Sequence, residues 1–321
     1  MSSNSAPAHE ARASDRSLDG PVSVIRAEVP GPAAPTGPGT LRDLISLTKP
    51  RLSMLVLVTA GGGLWLSGAW QGWGHATAAV GGTLMVVAGA NALNCYLERD
   101  TDAYMARTAT RALPTGRLSP TLALAFGLVL SGASVPLLTL TTTPLAGLLA
   151  AIALVSYVLI YTPLKRRSSL STLVGALPGA LPPLIGWTAA TGRLDAGGLV
   201  LFAVLFLWQI PHSLAIGIYR QREYERAGLV VFPTEHGLEA TRRQMLLYAL
   251  PMAPLPLALV LLGVASWGTL VIGSALGLWF LHLCWKGYRG GLGAIWARKV
   301  FWASLVYLTA LFSVLAVDQW L

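Results

Sequence analysis

Apolar segments as long as a bilayer is thick recur along this sequence. A transmembrane helix needs about 20 consecutive residues that are mostly apolar. Such segments occupy roughly residues 52–70, 76–97, 119–138, 145–163, 172–190, 197–218, 245–263, 267–285 and 299–317. Glycine and proline are frequent inside them, and packed transmembrane helices tolerate both. The pattern predicts an all-α polytopic membrane protein with about nine transmembrane helices.

The composition of the chain agrees with a membrane protein rather than a soluble one. Of the 321 residues, 54% are hydrophobic and only 12% are charged, whereas soluble domains carry about 25% charged residues. A net charge of +9 could indicate a nucleic-acid-binding protein. The basic residues are scattered singly between apolar segments, so we interpret them as topological signals and expect no nucleic-acid partner.

Residues 1–40 differ from the rest of the chain. They are rich in Ser, Ala, Pro and Gly and show no apolar periodicity, which is typical of a disordered tail. They contain no apolar segment typical of a signal peptide, and acids such as Glu10, Asp15 and Asp19 are unusual in a mitochondrial transit peptide. We therefore expect a disordered cytoplasmic tail at 1–40, a transmembrane domain at 41–321 and a bacterial inner-membrane location.

The basic residues fall almost entirely on alternate loops. Lysine and arginine precede the first segment and follow the second, fourth, sixth and eighth, whereas the remaining loops contain only Arg193. By the positive-inside rule the amino terminus and the basic loops are cytoplasmic, and an odd number of spans places Leu321 outside. The connections after the second and sixth segments are the longer ones, at about 20 and about 26 residues. This layout suggests two four-helix halves plus a ninth helix.

The connection after the second segment begins with an asparagine and three acids, in the stretch NCYLERDTD. On a helix, Asn94, Glu98 and Asp102 share one face within about 80°. Asp100 points elsewhere. An amide and two carboxylates are hard oxygen ligands, which suit a Mg²⁺ held jointly with substrate phosphates.

Two arginines follow the acids at the same helical spacing. Arg107 and Arg111 are four residues apart and offer planar guanidinium groups that match phosphate oxygens. The acids and arginines together predict a magnesium–diphosphate site. The alternative is an ordinary solvated loop in which the acids pair with the arginines.

The stretch NCYLERDTDAYMARTATRALPTG is similar to the signature of the UbiA family of intramembrane prenyltransferases. Besides the asparagine and the two in-register acids, the likeness includes Met105, Arg107, Thr108, Arg111 and Gly116. It implies a UbiA-type helical bundle over the chain after the tail. It also implies Mg²⁺ as the cofactor and an isoprenoid diphosphate as a substrate.

Two further stretches resemble the haem-farnesylating branch of that family. They are YTPLKRRSSLSTLVGALPGALPPLIGW at 161–187 and LFLWQIPHSLAIGIYRQREYERAG at 205–228. The resemblance implies that farnesyl diphosphate and haem b, which is a substrate and not a cofactor, give haem O and diphosphate. It also implies a place in haem A and terminal-oxidase biogenesis, with a haem A synthase as a downstream partner.

The resemblance assigns roles to further residues. Lys165 and Tyr161 would join Arg107 and Arg111 in holding the diphosphate. Quinone-forming members usually carry a second aspartate-rich motif after the sixth span, where this chain reads YRQREYERAG. Glu223 is therefore a candidate metal ligand in addition to the asparagine and the two in-register acids.

His212 lies inside the sixth segment, where an ionisable group is a functional candidate by default. It could ligate the haem iron, act as a base or orient water. The alternative is a neutral histidine hydrogen-bonded between helices. Trp208, Arg220 and Arg222 are further candidate haem contacts, the arginines through the propionates. The predicted catalytic set is Asn94, Glu98, Asp102, Lys165 and His212.

Two other activities remain open at this point. The same fold could prenylate an aromatic quinone precursor, although the W-Q-x-P-H motif and the missing aspartate pair disfavour it. A transporter could also use broken helices and charged cavity residues. Nearly all ionisable residues lie at one face, however, and that asymmetry favours an enzyme whose active site faces the cytoplasm.

Overall fold

A computed structural model describes residues 41–319 as a helical bundle, with no strand in that range. The helices are α1 Leu41–Leu47, α2 Pro50–Leu66, α3 Trp73–Leu97, α4 Arg99–Asp102, α5 Pro120–Thr141, α6 Pro144–Val155, α7 Thr162–Leu164, α8 Ser171–Thr191, α9 Ala196–Tyr219, α10 Gln221–Arg226, α11 Phe232–Ala249, α12 Leu255–Leu261, α13 Trp267–Arg289 and α14 Ala294–Asp318. A π-helical turn, Ser156–Tyr161, joins α6 to α7, and a 3-10 turn, Leu250–Met252, follows α11. The predicted tail at 1–40 and Leu321 lie outside the described residues.

The prediction of about nine membrane spans is confirmed. Within residues 41–319, eight helical segments are long and apolar enough to cross a membrane. A ninth is present if α1 and α2, which are bent by 53° relative to each other, count as one span. The chain is therefore a multi-pass membrane protein.

The seventh span starts earlier than the sequence predicted. It runs over Phe232–Leu261 rather than from residue 245. Residues 232–244 carry several charges, so the hydropathy pattern detects only the later, apolar part of this span. Helix formation depends on backbone hydrogen bonds, which need no apolar side chains. The connection before it is shorter than the expected 26 or so residues and contains α10.

Helix α8 lies against α2 at backbone-to-backbone distance. A β-carbon at Gly63 would overlap the carbonyl oxygen of Pro183, and one at Gly186 would overlap the carbonyl oxygen of Ala60. Such close packing is typical of small residues at transmembrane helix crossings. Because α8 also packs against α3, α6 and α9 and contributes to both large buried apolar clusters, it fixes the positions of the helices that carry the site.

Charged side chains meet at one end of the bundle, where α3, α7 and α9 finish and α8 begins; this is called the α3 end below. The side chain of Lys165, after α7, reaches Glu98, after α3. The backbone N–H of Val230, after α10, donates to the carbonyl of Lys165 at 2.9 Å. Loops that are distant in sequence thus assemble one polar region at the α3 end.

Candidate active site

The candidate site starts where α3 ends. The backbone at Glu98 leaves ideal helical geometry, with φ −96° and ψ 3°. The N–H of Asp102 nevertheless donates to the carbonyl of Glu98 at 2.8 Å, so the helical register continues into α4. Asn94 and Asp102 are 1% exposed, whereas the side chain of Asp100 is 77% exposed. This burial agrees with the predicted separation of Asp100 from the other three.

Both in-register acids are paired with cations from other parts of the chain. Arg111 Nη1 donates to Asp102 Oδ2 at 2.6 Å, and Lys165 Nζ donates to Glu98 Oε1 at 2.8 Å. The alternative prediction, that the acids pair with basic residues, therefore holds in part. The acid side chains are only 2% and 13% exposed, however, so this region is not a solvated loop.

Lys49 is a site residue that sequence reasoning missed. Its Nζ donates to Asn94 Oδ1 at 2.7 Å, and the Asn94 amide in turn donates to Thr162 Oγ1 at 3.1 Å. Among residues 41–319 it is the only non-glycine residue with a positive φ, 50°, at the bend between α1 and α2. A left-handed backbone is unfavourable for a residue with a β-carbon, so the surrounding contacts must hold it there. In the sequence, Lys49 was interpreted only as a topological charge.

The ion pair of Glu98 and Lys165 lies just beyond the spans and stabilises the charged form of both partners. Burial alone would raise the pKa of Glu98, but the Lys165 ammonium, through its charge and its hydrogen bond, holds that pKa below the ordinary value. Burial alone would lower the pKa of Lys165, but Tyr161 and the Glu98 carboxylate keep it above the ordinary value. The site therefore contains a fixed negative and a fixed positive charge at neutral pH.

Tyr161 lies at the end of the π-helical turn, beside this ion pair. Lys165 Nζ is 4.4 Å from the centre of the Tyr161 ring, a cation–π distance. A β-carbon at Gly175 of α8 would overlap the same ring, so the ring occupies space that only a glycine leaves open. Single π-helical turns are frequent at functional sites. The two residues predicted to assist diphosphate binding thus lie together, next to Glu98.

The short helix α10 carries a further acid, Glu223, near the α3 end. Arg220 Nη1 donates to Glu223 Oε2 at 2.6 Å, while the buried Oε1 of Glu223 has no hydrogen-bond partner in the described range. Burial raises the pKa of the neighbouring Tyr224, and the positive charges of Arg107, Lys165 and Arg220 oppose that shift. Tyr224 thus lies within electrostatic range of cations from both polar stretches, and Arg107 itself is exposed.

His212 is fixed against α14. Its Nδ1 is 2.7 Å from Ser304 Oγ, and its ring stacks on Trp208 with centroids 4.8 Å apart. Trp208 Nε1 donates to the Ser304 carbonyl at 2.6 Å, so the indole positions the histidine and has no free polar group. This hydrogen bond between helices is the one expected of a histidine with a purely structural role. The Nε2 atom of His212, however, has no partner among the described residues. Arg222 is exposed beyond the end of α9.

The residues present fit a magnesium ion that shares its coordination with a substrate. Within residues 41–319 no three His, Cys, Asp or Glu side chains form a metal cluster. Asn94, Glu98 and Asp102 nevertheless offer three hard oxygen donors on one helical register. On α10, the buried Oε1 of Glu223 is a further oxygen without a partner in the described range. Such a donor set suits Mg²⁺, which usually completes its shell with phosphate oxygens and water.

Sequence comparisons identify the known proteins that this chain resembles. A profile described as the UbiA prenyltransferase family matches residues 55–305. The chain is 50% identical over 282 residues to a protein named protoheme IX farnesyltransferase from Myxococcus xanthus, covering 88% of this chain and 96% of that protein. It is 56% identical over 238 residues to the protein of the same name from Sorangium cellulosum, covering 74% of this chain and 84% of that protein.

Solved structures with the same fold are more distant in sequence. A structure of digeranylgeranylglyceryl phosphate synthase gives a TM-score of 0.74 at 16% identity, over 87% of this chain and 98% of that chain. A UbiA homologue from Archaeoglobus fulgidus bound to DMAPP and Mg²⁺ gives a TM-score of 0.63 at 16% identity, over 86% of this chain and 99% of that chain. At these identities the likeness shows the fold alone.

Proposed function

The chain belongs to the UbiA prenyltransferase family, and we propose that it transfers the farnesyl group of farnesyl diphosphate to a vinyl group of haem b, giving haem O and diphosphate. One observation carries the proposal. In a chain 50% identical to a protohaem IX farnesyltransferase, the buried donors Asn94, Glu98 and Asp102 each contact a lysine or arginine at one membrane face. An array of oxygen donors and cations is what a departing diphosphate requires.

The chemical difficulty is breaking the allylic C–O bond, because diphosphate leaves poorly until its charge is neutralised. We assign Lys49, Arg107, Arg111 and Lys165 to the diphosphate oxygens. Cations held in place before the reaction stabilise the charge that develops on the leaving group, with little reorganisation during the step. Lys165 and Arg111 are already held at the site by carboxylates, so they are positioned before the substrate arrives.

Asn94, Glu98 and Asp102 would hold Mg²⁺, and Glu223 is a further candidate ligand. When bound, the ion would supply Lewis-acid neutralisation of the diphosphate. A UbiA homologue from Archaeoglobus fulgidus has been solved with DMAPP and Mg²⁺ bound, which supports Mg²⁺ as the metal but does not test these ligands. Lys165 and Arg111 would then exchange their carboxylate partners for phosphate oxygens, so that no buried charge is left without a counter-charge.

The acceptor side of the reaction needs a held haem and one water. A bond forms between C1 of the farnesyl group and the terminal vinyl carbon, which leaves positive charge on the adjacent carbon. Water adds there and releases a proton, giving the hydroxyl group of haem O. We assign His212 to contact the haem through Nε2, with Ser304 and Trp208 fixing the ring. Arg220 and Arg222 would pair with the propionates.

The orientation follows from the distribution of basic loops. We assign the α3 end to the cytoplasmic side of a bacterial inner membrane, because the lysine- and arginine-rich loops lie there. A haem A synthase would be the enzyme that next consumes haem O. The farnesyl chain and the porphyrin are both apolar, which is consistent with substrates that enter from the bilayer.

The proposal is tested by mass spectrometry of haem extracted from membranes that contain the chain. The membranes are incubated with haem b, farnesyl diphosphate and Mg²⁺, with matched membranes of the Asp102→Asn variant as the control. A product with the mass of haem O is expected in the first sample, and far less of it in the control after the same incubation time. Prenylation of an added aromatic quinone precursor, without any haem O, would refute the assignment of the acceptor.

A further inference from the structure

A second imidazole lies within a membrane span, on the outside of the bundle. His282 of α13 is exposed and makes no hydrogen bond or ion pair within residues 41–319. Its described ring contact is with Trp285, at a centroid distance of 6.0 Å. His282 lies about two helical turns before Arg289, the last residue of α13, and therefore about 10 Å inside the helix end. An ionisable group at that depth is unfavourable against lipid and is a functional candidate.

His282 is part of an apolar groove between α11 and α13. The groove has a volume of about 390 Å³, and its walls consist of leucines from both helices and the ring of Trp285. Leu247, Leu250 and Leu278 are each more than half exposed, so the groove is open along its length. One imidazole surrounded by leucine side chains is the arrangement that a ligand with an apolar body and one polar centre requires.

Two basic residues continue the same helical face toward the α3 end. Lys286 and Arg289 follow His282 by four and seven positions, which places all three within an arc of about 60°. Both basic residues are exposed, and neither side chain has a hydrogen-bond or ion-pair partner in the described part of the chain. This face of α13 therefore runs from the apolar groove, past its imidazole, to two unpaired cations beyond the groove lining.

We propose that this groove, formed by α11 and α13 around His282, is a docking site for haem outside the active site. The imidazole would ligate the iron, the leucine walls would cover the porphyrin, and Lys286 with Arg289 would pair with the two propionates. A lipid acyl chain would use the walls but not the imidazole, so haem accounts for more of the observed features. The inference rests on the proposed function, since haem b is the substrate that such a site would collect.

The depth of the groove matches the depth of the candidate active site. His212 lies about two turns before Tyr219 at the end of α9, as His282 lies about two turns before Arg289 at the end of α13. Arg242 of α11 donates to the backbone carbonyls of Gly291 and Leu292 in the loop after α13, which ties that loop to α11. A haem in the groove would therefore be held at the membrane level at which it reacts.

The test uses the full-length purified protein in lipid nanodiscs, titrated with ferric haem b and followed by the haem absorption spectrum. The wild type is expected to bind two haems, and His282→Leu only one. In turnover assays, His282→Leu and the double variant Lys286→Gln/Arg289→Gln are expected to raise KM for haem about tenfold, or about 1.4 kcal/mol. Their kcat at saturating haem should be unchanged. Lys299→Gln is the matched control, because Lys299 is an exposed lysine near the same end of the bundle but lies on α14 rather than on the His282 face of α13.

Two results would overturn the proposal. One is a wild type that binds a single haem. The other is an unchanged stoichiometry and KM in both groove variants, as expected if the groove holds only lipid. His282→Leu is expected to fold, because leucine suits a lipid-facing position. The double variant Lys286→Gln/Arg289→Gln tests the propionate contacts with the imidazole intact, so the proposal can still be refuted if one of the two variants misfolds. The proposed function is tested separately, and it fails if mass spectra of the wild-type reaction show no haem O.

Discussion

Replacing Asp102 by asparagine, and Asp100 by asparagine in a second variant, makes the same chemical change at positions two residues apart. The Asp102 side chain is 2% exposed and bonds Arg111 at 2.6 Å. Losing a positioned charge of this kind costs about 10²–10³-fold in turnover, or roughly 3–4 kcal/mol. The Asp100 side chain is 77% exposed and lies 3.8 Å from Arg99. Exposed pairs of that kind contribute about 0–1 kcal/mol, so Asp100→Asn should lose less than about fivefold.

The assay is the initial rate of haem O formation, measured across a Mg²⁺ titration with the membrane levels of the variants matched. Higher Mg²⁺ should partly restore Asp102→Asn, because the variant weakens the metal site. The double variant Asp102→Asn/Arg111→Gln separates this effect from a broken ion pair. If the double variant recovers activity, the loss came from an uncompensated arginine. Full activity in Asp102→Asn would refute the metal-site assignment, and equal loss at both positions would refute the argument from burial.

Three further outcomes are expected. Lys49→Gly removes the strain of a left-handed lysine, so the variant should unfold at an equal or higher temperature than the wild type. The same variant should bind diphosphate about tenfold more weakly. Unchanged diphosphate affinity would contradict the assignment of Lys49. His212→Ala should weaken haem binding and shift the haem spectrum while leaving diphosphate affinity intact, and an unchanged spectrum would make the Ser304 contact purely structural. The stability that Glu98 gains from its ion pair is present above the ordinary carboxylate pKa of 4.5 and is lost as pH falls through the lowered folded value. The difference in unfolding temperature between the wild type and Glu98→Gln should therefore be constant from neutral pH down to about 5 and shrink only below 4.5; a difference already lost near pH 6 would contradict this direction.

Hydropathy and helical spacing predicted the parts of this molecule that depend on local sequence. The spans follow from bilayer thickness, and the separation of Asp100 from Asp102 follows from helical periodicity, because both rules act over a few neighbouring residues. The start of the seventh span at Phe232 was missed for the same reason, since a hydropathy window sees apolar side chains and not backbone hydrogen bonds.

The contacts between distant segments could not be predicted in this way. Lys49 reaches Asn94 across 45 positions, and Lys165 reaches Glu98 across 67. Nothing in the spacing of Lys49 distinguishes it from the other basic residues that border the spans, and Lys165 was predicted as a site residue without its partner Glu98. The partners are set by how α8 packs against its neighbours, which is a property of the folded bundle. The groove around His282 is likewise visible only once α11 lies beside α13.

Glu98 and Asp102 are each paired with a cation when no substrate is bound. A divalent cation that arrived alone would compete with Lys165 and Arg111 for the carboxylates and leave two displaced positive charges close to it. A diphosphate that arrived alone would take the cations and leave two buried carboxylates without partners. Each ligand therefore removes the penalty that the other incurs, and by thermodynamic linkage each must raise the affinity for the other by the same factor. The resting ion pairs thus make the two ligands bind cooperatively, and the free site should discriminate against incomplete combinations.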